Sequence, residues 1–139
     1  MLLHIILLTL GIQVIFSENP QIECNTEYKV MGCYKGSEIV IGYKNPNQVL
    51  YHELGHALFL KDQEVKDVIS KYPAPRYYPD YAYPTANQKL DEKVADYFEM
   101  YMRYSDFPDK FPEVNELFNN KLKPYKNKIK QYEITGKFN

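Results

Sequence analysis

An excess of charge of one sign is missing from this 139-residue sequence: 17 basic residues meet 18 acidic ones and leave a net charge of -1. A nucleic-acid binder normally needs a basic face to release counterions from phosphate, so no nucleic-acid partner is expected. A long apolar run is missing too. The run Leu2–Phe16 has no charged side chain but stops short of the roughly 20 residues that a bilayer span requires, so no stable membrane partner is expected. It fits the apolar region of a secretory signal peptide, with Ile15 and Ser17 acceptable before a cut near Ser17–Glu18. No Lys or Arg precedes it, and the competing readings are an uncleaved anchor or a buried first helix. The expected organisation is a signal peptide over residues 1–17 and a single domain over 18–139, secreted or extracytoplasmic and monomeric.

Cysteine and histidine are scarce. Cys24 and Cys33 are the only two cysteines, and their spacing excludes a CxxC redox pair and a zinc knuckle. Cys24 follows Gln21-Ile22-Glu23 rather than small residues, which argues against a lipoprotein. In an exported chain the pair is expected to form a disulfide, closing a short loop worth about 2–3 kcal/mol. Only three histidines are present, His4, His52 and His56, so any site that needs three of them downstream of residue 50 is excluded.

What is there suffices for a folded domain. Hydrophobic residues at 45% and charged residues at 25% argue against wholesale disorder. Ser37–Tyr43 reads as a strand, with Ile39, Ile41 and Tyr43 on one face, and Asn45-Pro46-Asn47 as a turn. A helix follows from about Gln48 to Lys61, with Leu50, Leu54, Ala57 and Leu58 at helical spacing. Lys61 to Lys71 continues it or forms a second exposed helix. Tyr72 to Pro84 holds five Tyr and four Pro and is expected to be an ordered or semi-ordered loop. Its tyrosines either pack on the surface or offer phenolic donors to a substrate. Helix returns from about Asn87 to Tyr104, striped by Leu90, Val94, Phe98, Tyr101 and Met102. A last helix starts at Phe111-Pro112, and Pro124 is expected to kink or split it. The order is a short β region and then three or four helices, an α+β domain.

The chemistry sits at His52-Glu53-Leu54-Gly55-His56, which matches H-E-x-x-H. Residues four apart share a helix face, so both imidazoles can reach one metal ion while Glu53 stands beside them without ligating. Zinc suits two imidazoles because it accepts tetrahedral nitrogen and oxygen ligands. No histidine follows His56, and Phe59 and Asp62 stand where the longer three-histidine motif needs Gly and His. A third ligand from downstream is therefore a carboxylate. Glu92 and Asp96, in Leu90-Asp91-Glu92-Lys93-Val94-Ala95-Asp96, lie one helical turn apart. Glu92 is expected to ligate the metal and Asp96 to accept the second imidazole hydrogen of one histidine. Asp91, Asp96 and Glu99 stand as alternative ligands, and a solvated acidic face is the bland reading of the same residues.

His52-Glu53-x-x-His56 followed by Glu92-Lys-Val-Ala-Asp96 resembles a gluzincin metallopeptidase, the group that includes thermolysin. With Tyr97-Phe98 added, it is most similar to small members like the anthrax lethal-factor catalytic domain. The resemblance covers roughly Cys33 to Phe118. It implies a small zincin-like fold and a zinc site on His52, His56 and Glu92. It also implies a substrate-binding edge strand before the active-site helix, which Glu38–Tyr43 would match. Such relatives carry a tyrosine shortly before the glutamate ligand that stabilises the transition state; Tyr83 is the nearest candidate here and Tyr81 the next. The expected activity is that of a secreted zinc metalloendopeptidase acting on a protein or peptide. A metal-activated water would attack the bond, with Glu53 as general base. The alternatives are a catalytically inactive zincin-like module that binds metal or peptides, and a small tyrosine-rich binding protein with an accidental motif.

Overall fold

The computed structural model of the protein describes residues 1–137. In chain order the elements are α1 (Leu2–Leu10), β1 (Gln13–Phe16), α2 (Pro20–Glu23), β2 (Gly32–Tyr34) and β3 (Glu38–Ile41). Then come α3 (Pro46–Phe59), α4 (Gln63–Ile69), α5 (Ala86–Arg103), α6 (Phe107–Lys110) and α7 (Pro112–Thr135). The domain is α+β, with seven helices and one three-stranded sheet among the described residues. Local chemistry sets several boundaries. Pro46 opens α3 behind Asn45, whose φ of 52° is a left-handed value that Asn tolerates. Asp62 caps α4 by accepting from Val65 N at 3.1 Å. Thr85 and Gln88 form a reciprocal capping box at the start of α5.

The sheet order is β1-β3-β2, with β1 parallel and β2 antiparallel to β3. This corrects the expected edge strand. Glu38–Ile41 is the central strand, paired along both edges, and Ile39, Val40 and Ile41 are all buried. Tyr43 lies beyond the strand and is exposed. A cleft in the molecule is bordered instead by Gly32 of β2 and by the Lys29–Met31 segment that precedes it. The segment read as a signal peptide forms α1 and β1, with Ile5, Ile6 and Ile12 buried in the core. Among the described residues no helix is long and apolar enough to cross a membrane, and Cys24 and Cys33 form a disulfide.

Beneath the sheet, α3 packs on α5 across Gly55. A Cβ there would lie 3.0 Å from the Ala95 Cα and 3.2 Å from the Phe98 Cβ, so the small residue lets the two backbones approach. Leu50 and Leu54 are buried on the core side of α3, and Ala57 and Leu58 pack half-buried against the core. Phe59, Phe98 and Phe118 meet with ring centroids 5.2–5.4 Å apart, joining α3, α5 and α7. Residues 61–71 are not a continuation of α3; α4 is separate and buries Val65 and Ile69. Of the kink or split expected at Pro124, the split does not occur, since α7 runs as one helix through it. The amide that Pro124 lacks leaves the Asn120 carbonyl without its helical donor, and both residues are exposed, where water can take that place.

Candidate metal centre

Helix periodicity puts His52 and His56 on one face of α3, and α5 presents Glu92 and Asp96 to them from the facing helix. The His56 Nε2 lies 2.7 Å from the Glu92 Oε2, and the His52 Nε2 lies 3.1 Å from the Glu92 Oε1. On its other side the His52 Nδ1 donates to the Asp96 Oδ1 at 2.8 Å. The two rings stand edge to face with centroids 4.9 Å apart. Ligand atoms of His52, His56 and Glu92 all lie within 4.8 Å of one another, a group that could hold a metal ion. Tetrahedral bonds of about 2.0–2.1 Å would set such atoms about 3.3 Å apart. The observed 2.7 and 3.1 Å fit that geometry after a small outward adjustment.

The rival carboxylates have other partners. Asp91 ion-pairs with Lys66 at 3.1 Å, and Glu99 with Arg103 at 2.6 Å. Asp96 is held by His52, by the Arg76 Nε at 2.9 Å and by the Tyr78 hydroxyl. Of these four acids, Glu92 alone meets both rings.

The electrostatics follow from burial and pairing. For Glu92, burial alone would raise the carboxyl, but hydrogen bonds and charge from His52 and His56 hold it well below the usual carboxylate range. Burial likewise opposes ionisation of Asp96, and its bond from His52 prevails and lowers it. Burial works against a charged His52, yet hydrogen bonds to Asp96 and Glu92 push it up to about 10. Glu53 is 7% exposed, and burial raises its carboxyl against the pull of the two histidines. A desolvated carboxyl with a raised pKa beside a cation site is the state in which a general base is effective.

A cleft of about 410 Å³ opens over these groups, with Lys29, Met31, Gly32, Glu53, Arg76 and Tyr83 among its lining. The Tyr/Pro loop therefore faces the site. Within it Tyr83 lines the cleft, and its phenol is pushed up to about 12 by burial and by the Glu92 carboxylate. Tyr81 is 79% exposed and turns its ring towards Tyr28 instead. Two neighbours escaped the sequence reading. Arg76 lies 2.9 Å from Asp96 and 3.5 Å from Glu92, and Tyr78 hydrogen-bonds Asp96. The only signal they offered was a lone arginine inside a loop otherwise rich in Tyr and Pro. Comparison with known protein families, with curated proteins and with solved structures finds no match for this chain.

Proposed function

We propose that the protein is a zinc-dependent metallopeptidase. The observation that carries this reading is the convergence of His52, His56 and Glu92 ligand atoms within 4.8 Å, with the buried Glu53 facing the same cleft. Two imidazoles and a carboxylate suit zinc better than a hard cation such as calcium or magnesium. Held by these three residues, zinc would supply a Lewis acid that acidifies water and polarises a carbonyl.

The remaining roles belong to the chain. Asp96 accepts the His52 Nδ1 hydrogen, which leaves the Nε2 lone pair turned towards Glu92. Arg76 and Tyr78 hold the second Asp96 oxygen and so steady its orientation. Glu53 takes the proton of the attacking water and returns it to the leaving amine. Tyr83 stays protonated at neutral pH and donates to the developing oxyanion. An extended peptide lies along Lys29–Gly32 on the free side of β2, where main-chain pairing gives binding without strict sequence preference.

The test is hydrolysis of a quenched-fluorescent peptide library by zinc-loaded protein, with Glu53→Gln in parallel. Loss of at least about 100-fold in the variant is expected, with zinc content unchanged. Full activity of metal-loaded Glu53→Gln would overturn the role given to Glu53. A metal-loaded wild type that cuts nothing would favour a module that binds without cleaving.

A further inference from the structure

The cleft has two walls, each anchored separately. One is the segment 25–31, closed at its ends by the Cys24–Cys33 disulfide and tied to β3's extension by the Gly42 N–H, which donates to the Met31 carbonyl at 3.1 Å. The other is the Tyr/Pro loop. Arg76 and Tyr78 bind it to Asp96, and its Asp80 accepts from Lys89, both partners lying on α5. Its turn is fixed by the Pro79 carbonyl, which accepts from the amides of Ala82 and Tyr83 at 3.1 and 2.9 Å.

The walls meet at Tyr28. Its hydroxyl donates to the Ala82 carbonyl at 3.5 Å, and its ring stands edge-on to Tyr81 with centroids 6.3 Å apart. A hydrogen bond of that length is weak, so the position of this contact is set by the anchors of the two walls rather than by the bond. Lys29 follows directly, exposed and lining the cleft. The other charges there have partners: Arg76 with Asp96, Glu92 with the histidines, Glu99 with Arg103. Among the described residues only Lys29 and Glu53 line the cleft without an ion pair, and the proposed chemistry uses Glu53. Lys29 is a cation lining the cleft, next in the chain to the Tyr28 contact, with nothing assigned to it.

We propose that this end of the cleft receives the free C-terminal carboxylate of the substrate. Tyr28 stops a continuing chain, Lys29 pairs with the carboxylate, and the protein trims peptides from their C-terminal ends. Hydrolysis adds one water across the peptide bond. A short C-terminal fragment leaves with a new amine, and the shortened chain keeps a new carboxylate. This inference rests on the peptidase reading above.

Binding separates the two. Peptides labelled with a dye at the N-terminus, ending in a free acid or an amide, are titrated by fluorescence anisotropy against full-length Glu53→Gln protein incubated with zinc. The free acid is expected to bind roughly two- to fivefold tighter, the size of an exposed charge pair. Lys29→Gln, a surface change, should erase that preference and bring the acid and the amide to the same affinity. Tyr28→Ala should admit peptides extended past the C-terminal position. Equal affinity for acid and amide would overturn the C-terminal assignment and leave the peptidase reading standing. Binding of neither would sink both.

Discussion

His52 joins the two halves of the site, with one ring nitrogen turned to Glu92 and the other on Asp96. That pairing dictates how the metal-free protein responds to pH. Glu92 and Asp96 have carboxyls held below their ordinary values of 4.5 and 3.8. They contribute stability above those values and lose it as pH falls towards their folded ones. His52 is raised from 6.5 to about 10, so its contribution is complete below 6.5 and is lost as pH rises through about 10. Glu53, raised by burial from its ordinary 4.5, also loses stability as pH rises above that value, because ionising it costs more in the folded chain. The metal-free protein should therefore be most stable between about pH 5 and 6.5, measured as the urea midpoint against pH. A midpoint that climbs steadily from pH 5 to 9 would contradict the pairing. At this scale the sequence was informative where spacing alone decides proximity. Residues four apart on a helix share a face, which made His52 with His56, and Glu92 with Asp96, legible as pairs. Arg76 and Tyr78 reach Asp96 from a loop whose path depends on tertiary packing, and no local period marks them.

The element that sets the site's dimensions is the α3–α5 crossing, and Gly55 sets the crossing. Alanine is better than glycine in a helix by about 1 kcal/mol, so propensity alone favours Gly55→Ala. The added Cβ would meet the Ala95 backbone at 3.0 Å, and main chain cannot swing aside. Displacing α5 should outweigh the gain, costing about 1–3 kcal/mol and weakening metal binding as Glu92 moves from the imidazoles. Thermal unfolding and a chelator-competition titration check both; a variant with raised stability and unchanged metal affinity would show that the helices have slack. The types of β3, α3, α5 and α7 were legible from periodicity, and α3 and α5 lie within two residues of their expected limits. The sheet order was not legible. Reading Leu2–Phe16 as a leader removed β1, and without β1 the strand Glu38–Ile41 looks like an edge. Its three buried residues in a row, Ile39, Val40 and Ile41, were the available sign of a strand covered on both sides.

Across the whole molecule, the first sixteen residues bind the sheet to the last helix. β1 pairs with β3 along four residues, α1 lies against α7, and the Lys128 ammonium donates to the Thr9 hydroxyl at 3.1 Å. Full burial of an Ile side chain contributes about 1.5–3 kcal/mol before ordering costs, and Ile5, Ile6 and Ile12 are all buried. A chain starting at Glu18 should be less stable than the full chain by about 2 kcal/mol or more, read from denaturant midpoints. Equal stability would mean that α1 and β1 are dispensable, as expected of a removable leader.

The proposed function depends on one cation joining α3 to α5. The direct measurement is zinc content and affinity of the purified full-length protein, with Glu92→Ala and Glu53→Gln beside it. One zinc per chain is expected in the wild type and in Glu53→Gln, with binding lost or weakened by about 100-fold or more in Glu92→Ala. A wild type that takes up no metal, or a Glu92→Ala protein that holds it as tightly, would contradict the account.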